Sequence, residues 1–368
     1  MAVSRINEGG LDISQYGNRN MLINGSMLVW QRGVTTDATG VGASSAYYRA
    51  DRWKTFVGGT ATAGRLTMSH ETSDLPDGFT DAMKLACTTA DTSIAAGESF
   101  GIVQHIESYL CAKTHTGTSS AKQITVSFYA KADSDATYVV QLLNNKHSGY
   151  IHNNRTFSVT SSWQRFELTF QADTTADSKF DGTQKDAGFS LTFWLHAGSD
   201  YTSATLASDW ATGTTNRAAG TNSIFAATSK TFYVTGVQLE VGDTATGFEH
   251  LSFKDELANC KRYYNASYAY GTPYGSVDTT SPIGHMSVGG AYNILGQFFH
   301  TTPMRSAPSV SIYNPLNGTA GQFRGDGASF ANAALLFNGD QGAVFYVNGT
   351  TVTQTVFLQV HAIFDAEL

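Results

Sequence analysis

The chain has 368 residues, enough for two or three domains each with its own core. Hydrophobic residues make up 41% but charged residues only 14%, against roughly 25% in ordinary soluble domains, so Thr, Ser, Asn and Gly carry the polar surface, as β-proteins prefer. A net charge of -7 without any Lys/Arg cluster argues against a grip on nucleic acid, and no run approaches the roughly 18 apolar residues of a membrane helix.

Met1 to Gly10 lacks the apolar core of an export signal, so the chain is expected to stay soluble in a cytosol. In residues 1–33 the apolar side chains Met21, Leu22, Ile23 and Met27, Leu28, Val29, Trp30 flank an Asn24-Gly25 pair, a strong turn signal that predicts a small hairpin. Seven such residues are too many for a free tail and too few for a core, so the segment needs a partner surface, the next domain or another protein. Gly33 to Ser45 reads as a flexible connection.

Residues 34–250 carry the period-2 alternation of half-buried antiparallel strands. Ile124, Val126, Phe128 and Ala130 form one apolar face, and Phe166, Leu168 and Phe170 form another. Phe189, Leu191, Phe193 and Leu195 claim the core side of a third strand, leaving Trp194 on the wet side beside Thr192 and His196. In Phe232 to Val241 the phase slips, and one extra residue at Gly236 restores it, which predicts a β-bulge. Several strands between turn clusters predict a two-sheet sandwich, a jelly roll. An outward Trp194, with Tyr201 and Trp210 in the polar loop that follows, supplies stacking faces for a sugar ring. The competing expectation is that a loop or a neighbouring subunit covers Trp194.

Residues 251–270 contain a helix. Ser252 caps it, Asp255 follows three residues on, and Lys261 and Arg262 lie near its end. Phe253, Leu257, Cys260 and Tyr264 form one apolar stripe, which must dock on its own sandwich or on symmetry mates around an axis. In residues 271–368 the β-pattern resumes. Val310 and Ile312, then Ala343, Phe345 and Val347, then Val356, Leu358, Val360 and Ala362 mark strands, with Asn-Gly turns at 317–318, 338–339 and 348–349.

Chemistry-bearing patterns are few. Cys87, Cys111 and Cys260 read as buried thiols, and His147 and His152 as members of a polar loop rather than metal ligands. No nucleophile elbow, P-loop or dinucleotide fingerprint occurs. Glu167 and Glu240 sit on wet strand faces without the pairing that glycoside hydrolysis needs. The expectation is a chain without catalytic residues, metal or cofactor.

Five segments carry a resemblance. Asn20 to Gly33, Tyr48 to Trp53, Phe232 to Asp243 with Phe248-Glu249, Glu256 to Tyr264, and Pro303 to Pro308 stand in the order found in a family of phage and prophage tail-fibre or virion structural proteins. The stretches Ile124–Lys131, Trp163–Phe170 and Gln238–Gly242 also resemble carbohydrate-binding-module jelly rolls. The resemblance implies an all-β subunit of a virion, made in the host cytoplasm, most plainly a tail fibre that contributes to host adhesion. Its implied partners are itself as a homotrimer, other tail proteins and a host-surface glycan. Residues 1–33 would then attach it to the particle. Carbohydrate-module jelly rolls also imply a structural calcium near Asp51, Asp243 or Glu249. A ligand-free head or tail decoration protein and a polysaccharide-degrading spike are the alternatives.

Overall fold

The computed structural model describes residues 17–34, 37–59, 62–180, 185–290, 294–325, 328–331, 333–347 and 352–368. The chain is all-β, with short helices between strands. Its first part holds β1 (Ala38–Val41), β2 (Ala46–Tyr47), β3 (Lys54–Gly59), β4 (Arg65–Glu71), β5 (Ala82–Thr89) and β6 (Glu98–Glu107). There follow β7 (Ile124–Ala132), β8 (Ala136–Asn144), β9 (His152–Val159), β10 (Gln164–Phe170), β11 (Ala187–Ala197) and β12 (Thr231–Val241). Two six-stranded antiparallel sheets result, β1-β4-β5-β12-β7-β10 and β2-β3-β6-β11-β8-β9, a jelly-roll sandwich. The alternating residues meet between them as expected: Phe193 of β11 lies 5.0 Å from Phe128 of β7, Phe157 packs against both, and Phe232 packs against Phe193. β1 occupies part of the stretch expected to be a flexible connection.

The bulge in β12 is present. Gly236 has φ +61°, and the register with β7 shifts between Thr235 and Gln238. It explains where the N-terminal segment goes. The expected hairpin does not form; Asn24 takes a left-handed turn with φ 58°, and the segment threads along β12 instead. Met21 N–H donates to the Leu239 carbonyl at 2.8 Å, and Val237 N–H donates to the Gly25 carbonyl at 2.8 Å. A Cβ at Gly25 would fall 2.0 Å from the Val237 carbonyl oxygen, so only glycine lets the backbones approach. Met21, Leu22, Met27, Val29 and Trp30 are buried, with Ile23 and Leu28 half-buried. These seven residues were expected to attach the chain to a particle, but the described part of the segment instead completes the sandwich core; residues 1–16 lie outside the described residues. The physical reason is that a nearby apolar cleft of the same chain satisfies them.

Beyond the sandwich, a helix spans Phe253–Lys261. Ser252 Oγ accepts from Asp255 N–H at 3.2 Å, as its spacing predicts. The stripe is divided between the chain's own interior and its surface. Cys260 and Tyr264 are buried within the chain, Leu257 is half-buried, and Phe253 is exposed against Tyr270. Tyr264 already belongs to the next strand, so the C-terminal sheet begins inside the expected linker.

That part holds β13 (Tyr264–Ala266), β14 (Ile283–Gly290), β15 (Ile294–Phe299), β16 (Ser309–Tyr313) and β17 (Gln322–Gly325). It continues with β18 (Ala328–Ala331), β19 (Ala333–Gly339), β20 (Gly342–Val347) and β21 (Val352–Asp365). One sheet runs β13-β21-β17-β18, with β14 and β16 also pairing with β21, and a second runs β15-β20-β19. Met304, Phe323, Phe345, Leu358 and Phe364 fill the core between them. Val310 and Ile312, Phe345 and Val347, and Leu358 and Val360 fall on strands as read; the Asn348-Gly349 turn lies outside the described residues.

The two parts are locked by buried charge. Arg32 pairs with Asp51 at 2.5 Å and with Glu367 at 3.1 Å, and Arg52 pairs with the other oxygen of Glu367. Both guanidinium groups lie on tyrosine rings, Arg32 at 3.8 Å from the Tyr264 centroid and Arg52 at 3.5 Å from that of Tyr263. Asp51 also accepts from Gln31 N–H, so this acid serves an ion pair rather than a calcium site. Among the described residues no cluster of three metal-ligating side chains is present. Replacing Glu367 with Gln leaves two buried cations short of a partner. Such losses typically cost about 3–5 kcal/mol. The urea midpoint of Glu367→Gln should therefore fall steeply, and an unchanged midpoint would show that the network does not hold the two parts together.

Candidate functional site

The outer face of the β2-β3-β6-β11-β8-β9 sheet carries a groove, and strand register dictates what lines it. Lys54 of β3 stands opposite Val103 of β6, Val103 opposite Thr192 of β11, and Thr192 opposite Gln141 of β8. The parallel row one step away reads Phe56, Gly101, Trp194 and Val139; the row on the other side reads His105, Ser190 and Leu143. Three rows of one face thus bring together residues from 54 to 194. A Cβ at Gly101 would sit 2.6 Å from the Phe56 ring, so glycine there allows Phe56 to lean across β6. Phe56 then meets Trp194 edge-on at 5.0 Å.

One end of the face is roofed. Residues 199–222 fold back over β8 and β9, tied down by Ala211 N–H to the His152 carbonyl at 3.0 Å, Asn154 N–H to the Ala207 carbonyl at 3.0 Å, and Asn222 N–H to the Thr137 carbonyl at 2.8 Å. From this roof Tyr201 reaches Trp194 at 5.3 Å between ring centroids. Arg217 lays its guanidinium 5.3 Å from the Trp194 centroid and donates to Gln141 Oε1 at 2.6 Å. The space left open has a volume of about 270 Å³ and includes Lys54, Phe56, His105, Thr192, Tyr201 and Arg217 in its lining. Small-molecule sites run upward from roughly 300 Å³, so this one suits a small ligand or one unit of a longer one.

Trp194 points outward, as its strand phase predicts, yet it is only 3% exposed. The roof supplies the cover, and the expected free stacking face is not available on this ring. Its Nε1 is buried without an acceptor, and so is Arg217 Nε. Tyr201 is half-buried at the groove, with Phe56 across from it. Trp210 stands elsewhere: it stacks 6.1 Å from Phe189, an inward residue, and donates Nε1 to the Gln171 carbonyl at 2.7 Å. It therefore helps close the sandwich. His196, expected beside Trp194, is displaced by a register shift between the two residues and buried against Glu98 and Ser223. Glu240, expected on a wet face, is buried under residues 243–249 and accepts from Thr246 N–H and Gln238 Nε2. Lys54, Phe56, His105, Gln141 and Arg217 escape sequence reading, because only strand order and the path of the roof bring them together.

Among the polar groups lining the groove, Lys54 and Arg217 can only donate, whereas the hydroxyls, Gln141 and His105 can also accept. Burial, with the positive charges of Lys54 and Arg52 nearby, pushes His105 down to about 4; its Nδ1 lies 2.7 Å from Ser190 Oγ. Under the roof, burial pushes His152 down to about 4 as well. Both imidazoles are neutral at neutral pH, while the unfolded chain would take up protons near 6.5. Stability from each is therefore complete above about 6.5 and lost as pH falls toward 4, by at most about 3 kcal/mol. Urea midpoints should decline across that window, and His105→Gln should flatten part of the decline. An identical pH profile in the variant would show that His105 accepts its proton freely in the folded state.

No protein-family model matches the sequence, and no curated protein matches it. Solved structures do. A CBM4 structure aligns with 16% identity and a TM-score of 0.29 over 59% of this chain and 97% of its own. A family 11 carbohydrate-binding module from Clostridium thermocellum, in complex with a β-1,3-1,4-mixed-linked tetrasaccharide, aligns with 15% identity and a TM-score of 0.28 over 54% of this chain and 91% of its own. The enzymatically active domain of tailspike protein 4 from bacteriophage CBA120 aligns with 11% identity and a TM-score of 0.30, over 61% of this chain but 21% of its own. At these scores what the groove can hold has to be taken from its own residues.

Proposed function

We propose that the chain is a non-enzymatic, glycan-binding subunit of a bacteriophage particle, a tail fibre or related appendage, with the outer-face groove as its sugar site. The observation that carries this reading is the groove itself. Phe56 and Tyr201 border it, and Lys54, Gln141, Ser190, Thr192 and Arg217 offer hydrogen-bonding groups in the same space. Ring faces with a few convergent polar groups suit a sugar, whose own faces are apolar and whose rim is polar. The groove lining holds no Asp or Glu, which supports binding over glycoside hydrolysis at this place.

Of the five sequence segments that resemble phage virion proteins, four meet around the buried charges and the third joins the first at Asn20. Arg32, Asp51 and Arg52, Tyr263 and Tyr264 have their partners there, while Arg305 donates to the carbonyls of Ala366 and Glu367. Asn20 N–H donates to Glu249, and Gln238 Oε1 accepts from Glu249 N–H.

Two experiments follow. Phe56→Ala and Tyr201→Ala should each weaken retention on a host-glycan array or on host cells, by roughly 5- to 150-fold if a stacking ring is worth about 1–3 kcal/mol. Folding is checked by circular dichroism, and undiminished retention by folded variants would remove the groove from the reading. Trp194→Ala, by contrast, should lower stability by about 3–5 kcal/mol, since its ring is buried. The proposed assembly is a homotrimer, so light scattering should give about three times the 39.4 kDa chain mass. Monomers at micromolar concentration would exclude it.

A further inference from the structure

We infer that the groove selects sugars carrying a negative charge, with Arg217 and Lys54 receiving the acidic group and Phe56 and Tyr201 the ring; this rests on the glycan-binding reading. A contrast with three other arginines points to it, although Arg155, half-buried elsewhere, also has only neutral acceptors. Arg32, Arg52 and Arg262, all drawn at least partly out of water, each have a carboxylate: Asp51, Glu367 and Glu107. Arg217 has none. Its partner is the neutral Gln141 amide, its Nε is buried without an acceptor, and among the described residues no acid pairs with it or with Lys54.

Lys54 and Gln141 end one row of the sheet, three strand spacings apart, or about 14 Å between backbones. Two cations thus frame a floor of Val103 and Thr192, with no acid in the lining to balance them. Burial also pushes Arg217 below arginine's ordinary range, the mark of a cation that has lost water without gaining a counter-charge. The buried Trp194 Nε1 adds one more donor without an acceptor. An occupant that brings negative charge would supply the counter-charge that Lys54 and Arg217 lack, because charge-assisted hydrogen bonds are roughly twice as strong as neutral ones. A neutral sugar would satisfy only the donors.

The test is calorimetric titration of the full chain with oligosaccharides bearing uronate, phosphate or sulfate groups, each beside its neutral parent. At low salt at least one acidic sugar should bind about 10- to 100-fold tighter than its parent. Lys54→Gln and Arg217→Gln should each bring the acidic sugar's affinity most of the way down to that of its neutral parent, measured on the same variant. If Arg217→Gln fails to fold, the half-buried Lys54 position still decides. Equal affinities for every acidic and neutral pair would overturn the charge preference and leave glycan binding standing. A folded wild-type chain that binds no sugar in the panel or on the glycan array would take down both. A polyglutamate peptide that binds as tightly as the acidic sugars would overturn the inference, since the rings would then contribute nothing.

Discussion

Arg32 and Arg52 carry their charge where water is absent, and the carboxylates of Asp51 and Glu367 make that tolerable. The requirement is geometric as much as energetic. A guanidinium buried among apolar groups is acceptable only with its partners at hydrogen-bond distance, so four distant stretches of chain must arrive together. Residue 32 brings the N-terminal segment, residues 51 and 52 the entry to β3, Tyr263 and Tyr264 the end of the helix, and residue 367 the far side of the C-terminal sheet. Glu107, at the end of β6, adds a second clasp by accepting from Arg262 Nε at 2.8 Å and from the Tyr263 hydroxyl. Burying ions adds little net stability compared with apolar packing, but wrong arrangements that separate the partners are heavily penalised.

With the two parts fixed in this way, the second sheet of the sandwich is left to do two jobs. Its inner face supplies Phe100, Phe157 and Phe193 to the core. Its outer face carries the aromatic cluster of Phe56, Trp194 and Tyr201 beside polar residues, some open in the groove and others, such as Asn154, buried under the roof. The division follows from the pleat, which sends neighbouring residues to opposite sides. Substitutions at the outward positions of β3, β6, β8 and β11 change the groove without touching the ring cluster behind it. The network touches the groove at one edge, where Arg52 donates to the His105 carbonyl at 2.7 Å.

How much of this was legible depends on the range of the interactions. The alternation of Phe189 to Leu195, the phase slip at Gly236 and the Ser252 cap are local patterns, and each appears in the structure where the residues place it. Trp194 shows the limit. Period-2 phase tells which face a ring occupies, but whether that face is wet depends on the later path of residues 199–222, which no local pattern records. The apolar segment from Met21 to Trp30 shows the same limit from the other side: its need for a partner is plain, but the partner, a cleft beside a bulge in β12, lies too far along the chain to be read. The groove is the extreme case, since Lys54, His105, Gln141 and Arg217 have no sequence relation to one another.

The threading of the N-terminal segment along β12 also sets a timetable for biosynthesis. Asn20 Nδ2 donates to the Val237 carbonyl across 217 residues of sequence. At the usual pace of roughly 5–20 residues per second, the ribosome needs about 10–40 s to make that intervening stretch. Throughout this interval Met21, Leu22, Met27 and Trp30 have left the ribosome while their docking strand does not yet exist. This apolar part of the young chain must wait, unprotected by its own fold, for the last strand of the sandwich. Ribosome-associated chaperones that recognise short apolar stretches would find their natural client there, and crowding many ribosomes on one message would bring such waiting segments within reach of each other.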